Sequence, residues 1–363
     1  MSTSIYIHIP FCASKCKYCD FYSAPASEEI REKYVSALIS QINSSSALNE
    51  SVKSVYFGGG TPSVLTEKQL YSVLEALDKK FNISSAEKTL EVNPDSVLTA
   101  KSEKALWFNR FSMGVQSFDD EELRLLGRRH TAEEAEKAYL YLRNFASNVN
   151  LDLIIGIPSE NHSERLKRSL DKLISLNPEH SSVYILKYEE GTPMYSYLNS
   201  ALPDDEVSDL YLYVSETMRN NGYEHYEISN YAKKGFRSVH NCAYWEQKKY
   251  LAFGTGAYGF DGKNRYHFEK NVSEYIALNG QVLPITDEIL EAPQIFEEKV
   301  ILGLRMSDGI SENIYADICK NPAKKRFCEN LIKNNMANIL PDGSFVLTPK
   351  GWLVSNTIIE DLI

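Results

Sequence analysis

Three cysteines crowd into one short stretch, Cys12-Ala-Ser-Lys-Cys16-Lys-Tyr-Cys19, and these are the residues best suited to chemistry in this chain. Gaps of three and then two residues let one tight loop aim three thiolates at a common centre. Iron–sulfur clusters are held by thiolates, normally four of them, so three ligands leave one iron with an open position. Zinc is the alternative reading, but zinc knuckles pair two C-x2-C units or add histidines, and no second knuckle follows. Six cysteines in 363 residues are far too few for a disulfide scaffold, and such clustering in a reducing compartment reads as metal chemistry. Cys319 and Cys328 read as small interior residues.

Other polar or glycine-rich positions stand where ligands are commonly held. Gly58-Gly-Gly-Thr-Pro62 follows an apolar run, and glycines there let backbone approach a ligand with no Cβ in the way. A plain turn is the competing reading. Glu91 interrupts a strand-like segment with a charge that must be paired if it is interior. Gln116, Arg128 and Asp152 stand at or just beyond the ends of other strand-like segments, and a salt bridge inside a barrel is the bland alternative for this group.

The elements that must position these residues alternate regularly. Strands are predicted at Ser4 to His8, Ser54 to Phe57, Lys88 to Val92, Phe111 to Val115, Leu151 to Ile155 and Ser181 to Leu186. Helices are predicted at Glu28 to Ile42, Glu67 to Lys80, Thr99 to Trp107, Asp119 to Phe145, Ser163 to Leu176 and Asp204 to Asn220. Thr131-Ala-Glu-Glu134 reads as a capping box that restarts the fourth helix after Gly127. Six βα units predict an α/β fold with a parallel sheet, either doubly wound or curled into a partial (β/α)6 TIM-like barrel. The barrel is preferred because the unusual polar motifs all follow strands, and in a βα barrel those positions converge on one mouth.

After Asn221 the rhythm breaks. The sequence divides into 1–221, a partial barrel; 222–290, an aromatic and glycine-rich connecting region; and 291–363, a smaller C-terminal accessory module with a winged-helix-like tail. That tail carries a helix at Ala292 to Arg305, short helices near 311–318 and 322–335, a hairpin around Pro341-Asp-Gly-Ser344 and a last helix after Pro349. A net charge of −10 argues against nucleic acid or an anionic membrane surface as partner, since phosphate binding relies on clustered Lys and Arg. The N-terminal residues lack the basic and apolar regions of a signal peptide, and no run approaches the roughly 20 apolar residues of a membrane span. A cytoplasmic protein is expected.

Taken together, the motifs resemble the oxygen-independent coproporphyrinogen III oxidase family of radical S-adenosylmethionine (SAM) proteins, and within it the heme-chaperone branch. The matching stretches are Tyr6-Ile-His-Ile-Pro-Phe-Cys12, Tyr18-Cys-Asp-Phe21, Gly58 to Ser63, Glu91-Val-Asn-Pro94, Ser112-Met-Gly-Val-Gln-Ser-Phe118, Leu126-Gly-Arg-Arg-His130, Asp152-Leu-Ile-Ile-Gly-Ile-Pro158, Tyr226-Glu-Ile-Ser-Asn230 and Leu347-Thr-Pro-Lys-Gly351. The resemblance implies a radical SAM barrel with a 4Fe–4S cluster on Cys12, Cys16 and Cys19, whose open iron is chelated by the amino and carboxylate groups of SAM for one-electron cleavage. It further implies that Tyr6, Gly59, Glu91, Gln116, Arg128 and Asp152 contact SAM, with Gly60 and Thr61 lining the same pocket.

Oxidases of this family carry a further cysteine two residues after the third ligand and a longer N-terminal extension. Here Phe21 stands at that position and the first strand begins almost at once, which weakens the oxidase reading. The chaperone branch is marked by a His-Asn-x-x-Tyr-Trp motif linked to heme, matched by His240-Asn-Cys-Ala-Tyr-Trp245. Imidazole is a good axial ligand for heme iron, and Tyr and Trp pack on flat rings. His240 is therefore the expected heme ligand, with Cys242 as a weaker candidate. Heme and heme-accepting proteins are the implied partners; peripheral contact with membrane proteins and a homodimer both stay open. The rival readings are the decarboxylating oxidase and a radical SAM methyltransferase or heme-degrading enzyme. His8 is divided between serving the SAM site and packing in the first strand; Tyr18, between shielding the cluster and filling the loop.

Overall fold

The computed structural model describes residues 2–46, 51–99 and 107–363. The six predicted strands form as β1 (Ser2–Ile9), β2 (Ser51–Gly59), β3 (Glu87–Val92), β4 (Arg110–Gln116), β5 (Val149–Ile155) and β6 (His180–Ile185). Around them lie α1 (Glu28–Ser44), α2 (Glu67–Phe81), α3 (Pro94–Thr99), α4 (Asp120–Leu126), α5 (Ala132–Leu142), α6 (His162–Leu176) and α7 (Asp204–Asn220). The break between α4 and α5 is the predicted restart: Gly127 ends α4 in a left-handed conformation, and Thr131 and Glu134 form a reciprocal capping box. The helix expected at Thr99 to Trp107 falls mostly outside the described residues.

β1 to β6 pair in order and all parallel. Residues 222–290 extend this sheet at both edges. On one side lie β7 (Glu224–Glu227) and β8 (Asn230–Ala232), with β8 antiparallel to β6. After α8 (Val239–Trp245), β9 (Tyr250–Phe253) runs parallel to β1 on the other side. Beyond it come β10 (Tyr258–Phe260), β11 (Asn264–His267), α9 (Val272–Ala277) and β12 (Ile285–Ile289), the strands pairing antiparallel. The sequence showed no strand pattern here because these strands are three to five residues long and rich in aromatics.

Alternation along the six strands sorts their side chains by character. Ile5, Ile7, Ile9, Val55, Phe57, Phe111, Met113, Leu151 and Leu153 face the helices and are buried in the main apolar core. The opposite face is polar. Ser4, Ser54, Ser112, Asn150, Asp152, His180 and Ser182 are joined there by hydrogen bonds across the barrel interior. The apolar core therefore lies between sheet and helices, and the space enclosed by the sheet is reserved for polar groups.

α8 closes the N-terminal end of that space. Its first amides, Val239 and His240, both donate to the Glu87 carboxylate at the start of β3 (3.2 Å each), and Ser238 Oγ caps Asn241 N–H at 3.3 Å. These contacts satisfy donors that a helix start leaves open, with a negative charge at the positive end of the helix dipole.

The chain finishes with α10 (Ala292–Gly303), α11 (Glu312–Cys319), α12 (Pro322–Lys333), the hairpin β13 (Ala337–Ile339) and β14 (Phe345–Leu347), then α13 (Pro349–Trp352) and α14 (Ser355–Leu362). They share a second core around Val300, Leu304, Ile318, Leu331, Phe345 and Ile358. Trp352 joins it to the barrel side, donating to Leu304 O and standing edge-on to His225 at 4.7 Å. Among the described residues no helix is long and apolar enough to cross a membrane.

Candidate functional site

The cysteine loop leaves β1 and is closed by its own backbone: Ala24 N–H donates to Pro10 O (3.0 Å) and Cys12 N–H to Ala24 O (3.2 Å). Two further bonds pin its middle. Lys17 N–H donates to Leu126 O at the end of α4, and Met194 N–H donates to Lys17 O. Cys12, Cys16 and Cys19 are free and half-buried. Cys12 Sγ lies 3.4 Å from Thr61 Oγ1, and Arg128 Nη1 donates to Cys16 Sγ at 3.3 Å.

These thiols share one cavity of about 510 Å³ with Gly59, Gly60, Thr61, Glu91, Gln116, Arg128 and Asp152, at the end of the barrel opposite α8. The glycine loop is tight for a reason internal to the protein. Gly60 N–H donates to Ile9 O and Thr61 N–H to Phe11 O, and a Cβ on Gly60 would sit 2.5 Å from the Phe11 carbonyl oxygen. Gly59, at φ +108°, would press a Cβ into the His8 ring. The loop thus holds the cysteine segment from below as well as lining the cavity.

Gln116 ends β4 with φ +72°, a left-handed conformation that costs a non-glycine residue, at a register shift against β5. Arg128 reaches in from beyond α4: Nη2 donates to Asn93 Oδ1 (2.6 Å) and Gly114 O (2.5 Å) while Nη1 takes Cys16. One guanidinium so ties three elements to the cysteine loop. Glu91 accepts from Tyr56 Oη at 2.8 Å, and Asp152 from Asn150 Nδ2 at 2.6 Å. Burial raises the Glu91 carboxyl to about 7 and Asp152 to about 6. Two acids held near neutrality in one cavity suit a cationic guest.

Two expected site residues lie elsewhere. Tyr6 is in the barrel interior beneath the cavity, its hydroxyl 3.1 Å from His8 Nδ1 and its ring stacked on Tyr56. His240 is 1% exposed at the barrel floor, with Nδ1 2.9 Å from Ser54 Oγ and Nε2 2.8 Å from Tyr244 Oη, its ring stacked on Tyr56 at 4.9 Å. Both imidazole nitrogens are engaged, and burial holds the ring neutral, its pKa lowered to about 3. Cys242 packs with Tyr226, Met306 and Trp245, where burial pushes its thiol up to about 12. His8 packs, bonded to Tyr6 and to Tyr22 O. Tyr18 lines the cavity and packs with Leu126 and Met194.

The family model of the radical SAM superfamily matches residues 6–169. The heme chaperone HemW of Lactococcus lactis is 31% identical over 372 residues, covering 99% of this chain and 97% of that protein. The chain belongs to the HemW family of radical SAM proteins. The HemW of Bacillus subtilis is 34% identical with 86% of each chain covered, and that of Escherichia coli 37% identical, with 70% of this chain and 69% of that one covered. In fold the chain is similar to the coproporphyrinogen III oxidase of Escherichia coli, with TM-score 0.78 at 20% identity over 99% of this chain and 89% of that one.

As a radical SAM protein, this HemW-family chain is a 4Fe–4S and SAM protein. Its donor set fits the cluster. Three free, half-buried thiols line one cavity, and thiolates on a cluster each bind a different iron.

Sequence reasoning missed the residues that support the cavity from inside the barrel: Tyr56, Asn93, Ser112, Asn150 and His180. A signal was present. Asn150-Leu-Asp152 and His180-Ser-Ser182, each beginning one residue before a predicted strand, alternate polar with small or apolar residues, a pattern that marks a polar interior face.

Proposed function

We propose that this protein holds its cluster on Cys12, Cys16 and Cys19, binds SAM in the adjoining cavity, and carries heme for delivery to heme-requiring proteins. The observation that carries the first part is the convergence of three free thiols, two half-buried acids, Arg128 and the glycine loop on one cavity. SAM beside a reduced cluster supplies one-electron cleavage chemistry at its sulfonium. The chain's own residues supply the rest: Arg128 fixes the cysteine loop, the glycine loop presents unhindered backbone, and Glu91 and Asp152 offer negative charge to a cation.

Heme carriage is supported by the names of the HemW relatives and by the His240-Asn-Cys-Ala-Tyr-Trp245 segment. Seated as it is, His240 has no nitrogen to spare, so ligation of heme iron requires α8 to lift and the bonds to Ser54 and Tyr244 to break. Phe21, standing where oxidases of the family have a fourth cysteine, supports the carrier reading over propionate decarboxylation.

The test is anaerobic reconstitution of the full chain, iron and sulfide counting, and heme titration of the wild type and His240→Ala, with coproporphyrinogen conversion assayed in parallel. Saturable heme binding that His240→Ala loses, without product, supports the proposal. Protoporphyrinogen formation overturns the carrier reading, and a protein that binds zinc in place of a cluster overturns the whole.

A further inference from the structure

A chain of hydrogen bonds crosses the barrel from the cavity to α8. Asn150 Nδ2 donates to Asp152 Oδ1 at 2.6 Å and to Ser112 Oγ at 2.7 Å. Asn150 Oδ1 can only accept, so His180, 2.7 Å away at Nδ1, carries its proton there. That leaves His180 Nε2 as the acceptor of the Tyr226 hydroxyl at 2.8 Å. Tyr226 Oη in turn accepts the backbone N–H of Ser238, the N-cap of α8, at 3.3 Å. Asn150, His180, Tyr226 and Ser238 are all buried, and none of them lines the cavity.

Every donor in this chain points toward Asp152. Hydrogen bonds arranged head to tail polarise one another, so the charge on the terminal acceptor is felt along the line. His180 stays neutral, as burial and the neighbouring Arg110 hold its pKa well below the usual histidine value, and the direction of the chain is therefore fixed. Arg110 is itself buried beside this line, with Nε lacking a hydrogen-bond partner among the described residues. A second link, Tyr56, touches the same two ends: its hydroxyl donates to Glu91 and its ring stacks on His240.

We infer that Asn150, His180 and Tyr226 are positioning residues that couple the cofactor cavity to α8, so that occupancy of the cavity decides how firmly His240 is held. The inference rests on the SAM site proposed above, and not on heme binding. A cationic guest that keeps Asp152 in its charged form gives Asn150 a full carboxylate to donate to, which strengthens that bond and each bond behind it, and α8 is seated more tightly. Departure of the guest relaxes the line and frees the segment that carries His240.

The experiment is hydrogen exchange of residues 239–245, read by mass spectrometry on the anaerobically reconstituted full chain with and without SAM, alongside equilibrium dialysis of SAM. Saturating SAM is expected to slow exchange in this segment about tenfold, the factor set by one hydrogen bond strengthened or lost. Tyr226→Phe keeps the ring and removes the link; it is expected to bind SAM within about threefold of the wild type while the slowing disappears. Ser238→Ala removes the cap but not the backbone donor, so its exchange starts faster and still slows on SAM addition, which separates a broken coupling from a merely weakened helix. SAM binding with no slowing in the wild type overturns the coupling alone, as does full slowing in Tyr226→Phe. Failure of SAM to bind overturns the site and the coupling together.

Discussion

Glu91 shows how far a single side chain can report on the site. Burial raises its carboxyl to about 7, against the help of the Tyr56 hydroxyl. A cationic guest favours the charged form, so binding must first remove the proton wherever pH lies below that value. Affinity for SAM should therefore rise with pH, by about tenfold between pH 6 and pH 8. Glu91→Gln should bind more weakly at pH 8 and lose most of the slope, keeping the smaller change that Asp152 contributes around pH 6. Equilibrium dialysis across that range checks both, and an equal slope in wild type and variant would show that another group controls binding. His240 makes the complementary point. Its motif was legible in the sequence, but its burial was not, because a six-residue motif says nothing about which face of α8 packs on Ser54 and Tyr56.

At the scale of elements, periodicity located the six parallel strands and most of their helices because each buries a continuous apolar face. The expected convergence of polar motifs on one mouth holds for the cysteines, the glycine loop, Glu91, Gln116, Arg128 and Asp152. The supports were harder to read: what holds the cysteine loop is the glycine loop after β2, some fifty residues away, and no local pattern states that contact. Gly60→Ala tests it. The added Cβ meets the Phe11 carbonyl, and backbone on both sides cannot yield as a flexible side chain would. Overpacking of this kind costs about 1–3 kcal/mol, and here the strain falls on the residue preceding Cys12. The expected result is a lowered melting temperature and less iron per chain after reconstitution, though no ligand has been changed. Thr66→Ala, which removes the cap of α2 on the outside of the barrel, should cost about 1 kcal/mol with iron content unaltered.

For the whole molecule, the division at residue 221 drawn from the loss of rhythm meets a sheet that continues through it. The segment after 221 supplies β8 to the edge of β6 and β9 to the edge of β1, and Tyr226 and His240 to the barrel floor. The side-chain oxygen of Gln41 on α1 likewise takes its donors from beyond that point, Tyr275 Oη and Gly254 N–H. A chain ended at 221 would leave two long strand edges open, and open edges invite pairing with other chains. It would also strip His180 and Ser54 of buried partners, each an unsatisfied polar group costing about 1–3 kcal/mol. Residues 1–221 alone should therefore collect in the insoluble fraction or in the void volume of a sizing column. Residues 1–290 retain both edge pairings and the floor, and lose mainly the second core built around Val300 and Phe345. They should stay soluble and keep the capacity to assemble a cluster, at reduced thermal stability because Met306 and Trp352 no longer cover Tyr226 and His225. A monodisperse 1–221 fragment that binds SAM would show instead that the parallel strands close their cavity unaided, and that the flanking strands and α8 are additions to a barrel already complete.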